Sequence, residues 1–146
     1  MLENKGILRI VDANFNRCKE GLRVVEDTFR FILTNDVLRR KVRRIRHALD
    51  SIIQEKLLKD ALLCRDSKND PGKFTDSLES NRKDANNILY INLQRVKESL
   101  RVLEEFFKLI APGKVALIKK VRYQIYTIEK ESRSLISAKI CSKKNR

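Results

Sequence analysis

Residues that turn or break a chain are rare in this sequence. Only four Gly and two Pro occur among its 146 residues, which disfavours a fold of many short strands joined by tight turns. No apolar run approaches the ~20 residues that a membrane span needs. The chain is long enough for a hydrophobic core of its own. The sequence therefore predicts one helical domain over residues 1–146.

Residues with specialised chemistry are also scarce. A single His and no Trp occur, and Cys18, Cys64 and Cys141 lie far apart. This excludes histidine-rich metal sites and predicts reduced thiols, with Cys18 in the core. The sequence contains no glycine-rich phosphate loop and no recognisable Ser-His-Asp arrangement, so P-loop and dinucleotide-binding folds are disfavoured. The N-terminal residues lack the pattern of a signal peptide, and we expect a cytoplasmic protein without a membrane partner.

Positive charge is what the chain has in excess. Lys and Arg number 33 against 19 Asp and Glu, which gives a formal net charge of +14. Such a charge attracts nucleic acid, acidic membranes or phosphorylated small molecules. A well-solvated or thermostable surface produces the same composition without any ligand. Composition by itself leaves both interpretations open.

An internal repeat is the strongest pattern in the sequence. Residues 17–32 (RCKEGLRVVEDTFRFI) and 95–110 (RVKESLRVLEEFFKLI) lie 78 positions apart, and nine of the sixteen aligned residues are identical. Residues 43–52 (RRIRHALDSI) align with 119–128 (KKVRYQIYTI) at an offset of 76. The segment is therefore duplicated, and the first copy carries two extra residues near its turn.

Apolar residues in both copies recur at alternating steps of three and four, the spacing of an amphipathic helix. In the first copy the predicted core stripe comprises Val11, Phe15, Cys18, Leu22, Val25, Phe29 and Ile32. A short break and a second helix follow in each copy, so each copy is an antiparallel helical hairpin. Two hairpins predict an all-α four-helix bundle with pseudo-two-fold symmetry.

The expected boundaries follow from the repeat. They are about 7–60 for the first copy and about 83–138 for the second, followed by a basic tail at 139–146. One long central loop, about 61–82, separates the copies and contains the turn-forming residues Asp70, Pro71 and Gly72. A loop of this length in a compact domain is usually functional or disordered.

Charged and amide residues are retained between the copies as well. The retained set comprises Asn14, Arg17, Glu20, Arg23 and Glu26, with Asn92, Arg95, Glu98, Arg101 and Glu104. Arg and Glu three residues apart can pair on a helix surface, where a pair contributes roughly a few tenths of a kcal/mol. Surface pairs drift freely after duplication. The retained set therefore indicates a structural network or contact with a ligand.

A second candidate group lies on the second helix of each hairpin. Arg46 and His47 align with Arg122 and Tyr123. Each arginine borders the apolar stripe of its helix, which directs its charged head toward a groove between helices.

A third candidate group lies in the central loop, where Arg65, Asp66, Asp70 and Gly72 combine a guanidinium, two carboxylates and a tight turn. Two carboxylates beside an arginine can hold Mg²⁺ against phosphate oxygens. Ordinary turn chemistry explains the same residues equally well.

Four segments carry a family resemblance: IVDANFNRCKEGLRVVED, RIRHAL, RDSKNDPG and INLQRVKESLRVLEEFFK. They resemble the helical domain found N-terminal to the synthase barrel in some fused thiamine-phosphate synthases. That domain also occurs as a separate protein and is regarded as a hydroxymethylpyrimidine-phosphate kinase. The resemblance covers about residues 8–131. No segment of this chain is predicted to form the strands of a synthase barrel.

The resemblance implies a reaction in which ATP, with Mg²⁺, donates its γ-phosphoryl group to a phosphorylated pyrimidine, 4-amino-5-hydroxymethyl-2-methylpyrimidine phosphate. It implies that Asp66 and Asp70 bind metal and are catalytic, and that Glu20 or Glu98 holds the aminopyrimidine or the nucleophile. It places substrate and phosphate contacts at Asn14, Arg17, Arg23, Glu26, Arg46, His47, Arg65, Gly72, Asn92, Arg95, Arg101 and Glu104.

Two alternatives stay open at this point. A nucleic-acid-binding protein accounts for the net charge and the basic residues 39–46, but not for acidic residues retained in register with basic ones. Aromatic residues for base stacking are also few, so nucleic acid is the less favoured partner. A non-catalytic helical module that contacts a separate thiamine-phosphate synthase accounts for the duplication without an active site. Homo-oligomerisation is not decided by the sequence.

Overall fold

The computed structural model describes residues 2–144 as an all-α bundle. Its four long helices are α1 (Leu2–Asp27), α2 (Asp36–Ile52), α5 (Ala85–Ile110) and α6 (Val115–Lys144), and the shorter ones are α3 (Glu55–Leu63) and α4 (Ser77–Ser80). No strand occurs among the described residues. The predicted all-α bundle of two helical hairpins is confirmed.

The two hairpins pack with opposite orientations. Helix α1 contacts α2 and α5, α5 contacts α6, and α2 contacts α6. Gly21 of α1 faces Asn92 and Val96 near the start of α5. Lys139, near the end of α6, donates a hydrogen bond from Nζ to the carbonyl oxygen of Leu33 at 2.6 Å. Because α5 and α6 form an antiparallel hairpin, the end of α6 lies beside the start of α5, and both lie near the end of α1. Helices α1 and α5 therefore run antiparallel, and the pseudo-two-fold axis lies between them.

The core consists of the predicted apolar stripes. Fully buried residues of α1 and α5 meet at the centre: Val11, Cys18, Leu22 and Val25 from α1, with Leu93, Val96, Leu100 and Leu103 from α5. Helix α2 adds Val42 and Leu49, and α6 adds Ile118 and Ile125. Removing this apolar surface from water stabilises the bundle by roughly 25 cal/mol for each Å² buried.

Ile32 departs from the prediction, because it is 57% exposed while the next residue, Leu33, is buried. The cause is a π-helical turn at Thr28–Ile32, closed by a hydrogen bond from Leu33 N to Thr28 O at 3.0 Å. A π turn holds one more residue than an α turn, so it moves the side chains that follow out of phase. It accommodates one of the two extra residues of the first copy, whereas α5 stays α-helical to Ile110.

Capping and turn-forming residues begin the second helix of each hairpin. Asn35 accepts a hydrogen bond from Leu38 N at 2.9 Å and begins α2, and Pro112 begins a 3₁₀ turn before α6. The predicted loop of residues 61–82 is partly helical, since it contains the end of α3, a 3₁₀ turn at Pro71–Lys73 and α4. Residues 139–144, predicted as a basic tail, continue α6, and residues 145–146 lie outside the described range. None of the described helices is long and apolar enough to cross a membrane.

Candidate functional site

A cleft of about 580 Å³ lies between α1 and α5. Five pairs of residues that match between the repeats line it: Asn14/Asn92, Arg17/Arg95, Glu20/Glu98, Gly21/Ser99 and Val24/Val102. Because the members of each pair come from equivalent positions, the pseudo-two-fold axis passes through this central cleft. Glu79 of α4 also lines it and comes from the segment between the hairpins.

The two asparagines of the central cleft are held in the same way. Asn14 donates from Nδ2 to the carbonyl oxygen of Ile10 at 2.9 Å, and Asn92 donates to that of Ile88 at 2.9 Å. Both side chains are buried. A hydrogen bond from a side chain to the carbonyl four residues earlier fixes the rotamer. These two asparagines are therefore held in place before any ligand binds.

A second group of retained charges forms buried ion pairs instead of lining the cleft. Arg46 donates from Nε to Glu26 Oε2 at 3.1 Å, and Arg122 donates to Glu104 Oε2 at 2.7 Å. Glu26, Glu104 and Arg122 are buried. These pairs join α1 to α2 and α5 to α6 in both repeats. Glu26, Glu104 and Arg46 line neither cleft, because their charged groups bind one another, and their contact with substrate stays a prediction.

Arg122 is the most enclosed of these cations. Its Nη1 donates to the hydroxyl of Tyr126 at 2.9 Å, and its guanidinium lies 5.3 Å and 5.6 Å from the ring centroids of Tyr123 and Tyr126. The hydrogen bond to Glu104 raises the pKa of Arg122 above its ordinary value. Arg23 and Arg101 lie at 3.9 Å and 3.7 Å from the same two glutamates, are more than half exposed and do not line the central cleft.

The charges of the central cleft are arranged differently. Among the side chains that the structure describes (residues 3–140 and 142), Arg17, Glu20, Arg95 and Glu98 have no oppositely charged partner within 4.0 Å. The pairing of Arg17 with Glu20 that their spacing allows is absent in the described structure. Guanidinium groups in a concave site bind phosphate or carboxylate, and carboxylates accept N–H and O–H groups. The central cleft therefore suits a ligand that carries an anion and hydrogen-bond donors.

A second cleft of about 670 Å³ lies on the other side of the polar face of α1. Asn14, Arg17 and Glu20 line both clefts, and Arg65, Asp66 and Asp70 line the second one. The structure thus brings the predicted loop residues beside the predicted residues of α1. The equivalent face of α5 has no such loop, so the loop breaks the two-fold symmetry.

Asp12 is a site residue that the sequence analysis missed. Arg65 donates from Nε and Nη2 to the two carboxylate oxygens of Asp12 at 2.6 Å and 2.7 Å, and this hydrogen bonding raises the pKa of Arg65. Asp12 is buried. The matched position in the second repeat is Tyr90, so a comparison of the two copies does not identify Asp12. A carboxylate within the apolar run of residues 10–13 is the signal that identifies it.

The predicted metal ligands act as turn acceptors in the described structure. Asp66 accepts hydrogen bonds from the side chain and backbone of Asn69, and the side-chain bond is the main cause that lowers its pKa. Asp70 accepts from Gly72 N at 2.8 Å and begins the 3₁₀ turn. Among the side chains that the structure describes, no group of three or more His, Cys, Asp or Glu is placed to hold a metal ion. Binding of Mg²⁺ by Asp66 and Asp70 stays a prediction.

His47 lies away from both clefts. It is exposed on α2 and shares a shallow surface with Arg39, Arg40, Arg43 and Arg44. Its predicted contact with substrate therefore finds no support in the geometry of the clefts. The same surface is the main concentration of basic residues on α2.

Comparisons with known proteins cover most of this chain. The model of the ThiD2 family matches residues 9–131. A thiamine-phosphate synthase of Synechocystis sp. is 44% identical over 84% of this chain and 35% of its own length. Similar proteins of Nostoc punctiforme and Rhodopirellula baltica are 40% identical over 84% of this chain and 33% identical over 88% of it. The chain spans about a third of the length of these relatives. No solved structure matches.

These relatives correct the predicted activity. The proteins reported above carry the name thiamine-phosphate synthase, and none of them is named a kinase. The prediction that the chain is a hydroxymethylpyrimidine-phosphate kinase is therefore wrong. The alternative, a helical module associated with thiamine-phosphate synthase, fits the relatives better. Use of ATP and Mg²⁺ stays a prediction.

Proposed function

Because this chain belongs to the ThiD2 family, we propose that it is a helical module of thiamine biosynthesis that works beside a thiamine-phosphate synthase and binds a phosphorylated pyrimidine in its central cleft. One observation carries the proposal: most of this chain matches about a third of each synthase. In those relatives the helical region belongs to the same polypeptide as the remaining two thirds. The proposed role of the module is binding.

The composition of the central cleft supports this class of ligand. Arg17 and Arg95 supply guanidinium groups for a phosphate, and Glu20 and Glu98 accept hydrogen bonds from an amino or hydroxyl group. Val24 and its partner in α5 add apolar surface that a pyrimidine ring can contact. The volume of about 580 Å³ lies within the range usual for small-molecule sites.

Isothermal titration calorimetry tests the ligand. The probes are 4-amino-5-hydroxymethyl-2-methylpyrimidine phosphate and the same pyrimidine without phosphate. The double variant Arg17→Gln/Arg95→Gln is expected to lose at least ten-fold in affinity for the phosphate ester, since one hydrogen bond to a charged group contributes about 1.5–3 kcal/mol. The matched control Arg23→Gln/Arg101→Gln removes the same charge from the same two helices outside the cleft.

Two results contradict the proposed ligand. One is equal loss of affinity in the cleft variant and the control variant, which means that net charge alone attracts the probe. The other is equal affinity for the two pyrimidines, which means that phosphate is not recognised.

The association with a synthase is tested with a separately produced thiamine-phosphate synthase that lacks the helical region. We expect this chain to lower the KM for the phosphorylated pyrimidine substrate, and the cleft variant Arg17→Gln/Arg95→Gln to lose that effect. Unchanged KM and kcat at saturating amounts of this chain contradict the association.

Nucleic-acid binding is a second candidate, which only the basic face of α2 favours. Arg40, Arg43 and Arg44 are exposed there beside His47. Titration of a fluorescent random duplex at several salt concentrations decides it. Tight binding at physiological salt, lost in Arg40→Gln/Arg43→Gln/Arg44→Gln, supports this function, and binding only at low salt excludes it.

A further inference from the structure

The central cleft has two nearly equivalent halves, and this creates a problem for an asymmetric ligand. Each half offers one asparagine, with one arginine and one glutamate that have no ion-pair partner among the described side chains. A ligand with a phosphate at one end can place it on Arg17 or on Arg95 with closely similar contacts. A module that presents a ligand in one defined way needs a feature that distinguishes the halves.

Glu79 is such a feature. It lines the cleft, it comes from α4 between the duplicated hairpins, and no other residue lining the cleft in the described part of the chain corresponds to it. Its carboxylate also has no cationic partner within 4.0 Å among the described residues. Glu79 therefore adds to the central cleft a negative charge that comes from outside the duplicated segments.

Hydrogen bonds within residues 76–82 close the turn of the short helix that carries Glu79. Asp76 accepts hydrogen bonds from Leu78 N and Glu79 N at 2.9 Å and 3.0 Å, which caps α4. Arg82 donates from Nη1 to the carbonyl oxygens of Glu79 and Asn81 at 3.2 Å and 2.6 Å. At the other end of the segment, the ion pair of Arg65 with Asp12 ties the loop to α1. Glu79 thus lies at the cleft on a short helix whose own turn is closed by hydrogen bonds.

We propose that Glu79 sets the orientation of the phosphorylated ligand in the central cleft. Its carboxylate repels a phosphate from its own half and accepts a hydrogen bond from an amino or hydroxyl group of the ring end. The phosphate consequently binds the arginine of the other half. This inference rests on the proposed function, because it concerns the same ligand, and it assigns Glu79 a positioning role.

The test compares two equivalent arginine variants in three backgrounds. Affinity for 4-amino-5-hydroxymethyl-2-methylpyrimidine phosphate is measured by calorimetry for Arg17→Gln and for Arg95→Gln. Each is made in the wild-type chain, with Glu79→Gln and with Glu55→Gln. Glu55 is an exposed carboxylate on α3 that lines neither cleft, so its substitution controls for the loss of one negative charge. Circular dichroism checks that every variant is folded.

In the wild-type and Glu55→Gln backgrounds we expect one arginine variant to lose at least ten-fold more affinity than the other. In the Glu79→Gln background we expect the two losses to agree within three-fold, because both orientations become populated. Equal losses in the wild-type chain overturn the inference, and so does an unchanged ratio in Glu79→Gln. Absence of binding to the wild-type chain overturns the proposed function itself, which separates the two failures.

Discussion

Replacement of Glu104 by Gln tests whether the buried ion pairs hold each hairpin together. Glu104 and Arg122 are each about one-twentieth exposed and share hydrogen bonds of 2.7 Å and 3.3 Å. Loss of one partner from a buried pair costs about 3–5 kcal/mol, because the other charge stays buried without compensation. We expect about 3 kcal/mol, since Arg122 keeps its bond to Tyr126.

Urea unfolding followed by far-ultraviolet circular dichroism measures this loss. With an m value of about 1.5–2 kcal/mol per M for a chain of this size, the midpoint falls by about 1.5–2 M. The adjacent Glu105 provides the control, because it is exposed and pairs with Lys108 on the surface. Glu105→Gln is expected to unfold at nearly the wild-type midpoint. Equal midpoints for the two variants would refute the assignment of Glu104 and Arg122 to a structural pair.

Three further predictions concern packing, titration and the loop. Gly21→Ala places a Cβ 2.8 Å from Val96 Cγ2 and is expected to destabilise the chain by about 1–3 kcal/mol in the same urea assay. The control Gly6→Ala meets no atom within 4 Å and is expected to stabilise α1 by up to about 1 kcal/mol. Burial raises the pKa of Cys18 to about 12, above the ordinary value of 9.0, so the unfolded thiol ionises first as pH rises. Between pH 9.0 and about pH 12, the free energy of unfolding of the wild type should therefore fall by about 1.4 kcal/mol per pH unit relative to that of Cys18→Val. Parallel pH profiles of the two proteins would contradict this. Asp12→Asn weakens the ion pair with Arg65. Limited proteolysis within residues 64–84 should therefore become faster, while the long helices stay protected. An unchanged cleavage rate would show that the pair does not hold the loop.

The fold could be predicted because both copies of the repeat have the same helical spacing of apolar residues. The stripes through Leu22 and Leu100 specify which face of each helix is buried, and both residues are fully buried in the structure. Ile32 could not be placed, because the π turn that exposes it comes from how the first hairpin accommodates two extra residues. Periodicity assumes a constant number of residues per turn and therefore fails at such a turn.

Most residues that line the central cleft could be predicted from the sequence, but their partners could not. Retention between the copies identified both the residues of the central cleft and those of the buried ion pairs. It could not separate Glu20 from Glu26, because both are retained and only the position of Arg46 distinguishes them. Asp12 and Glu79 lie outside the retained set, since each acts on the loop side, where the two-fold symmetry is broken. Residues of that kind require the tertiary structure.

The most direct test of the central cleft as a ligand site is a crystal structure of this chain with 4-amino-5-hydroxymethyl-2-methylpyrimidine phosphate. We predict the phosphate within hydrogen-bond distance of the guanidinium of Arg17 or Arg95, and the ring between α1 and α5. A phosphate bound instead to the arginines of α2, with the central cleft empty at a saturating concentration of the ester, would contradict the proposal.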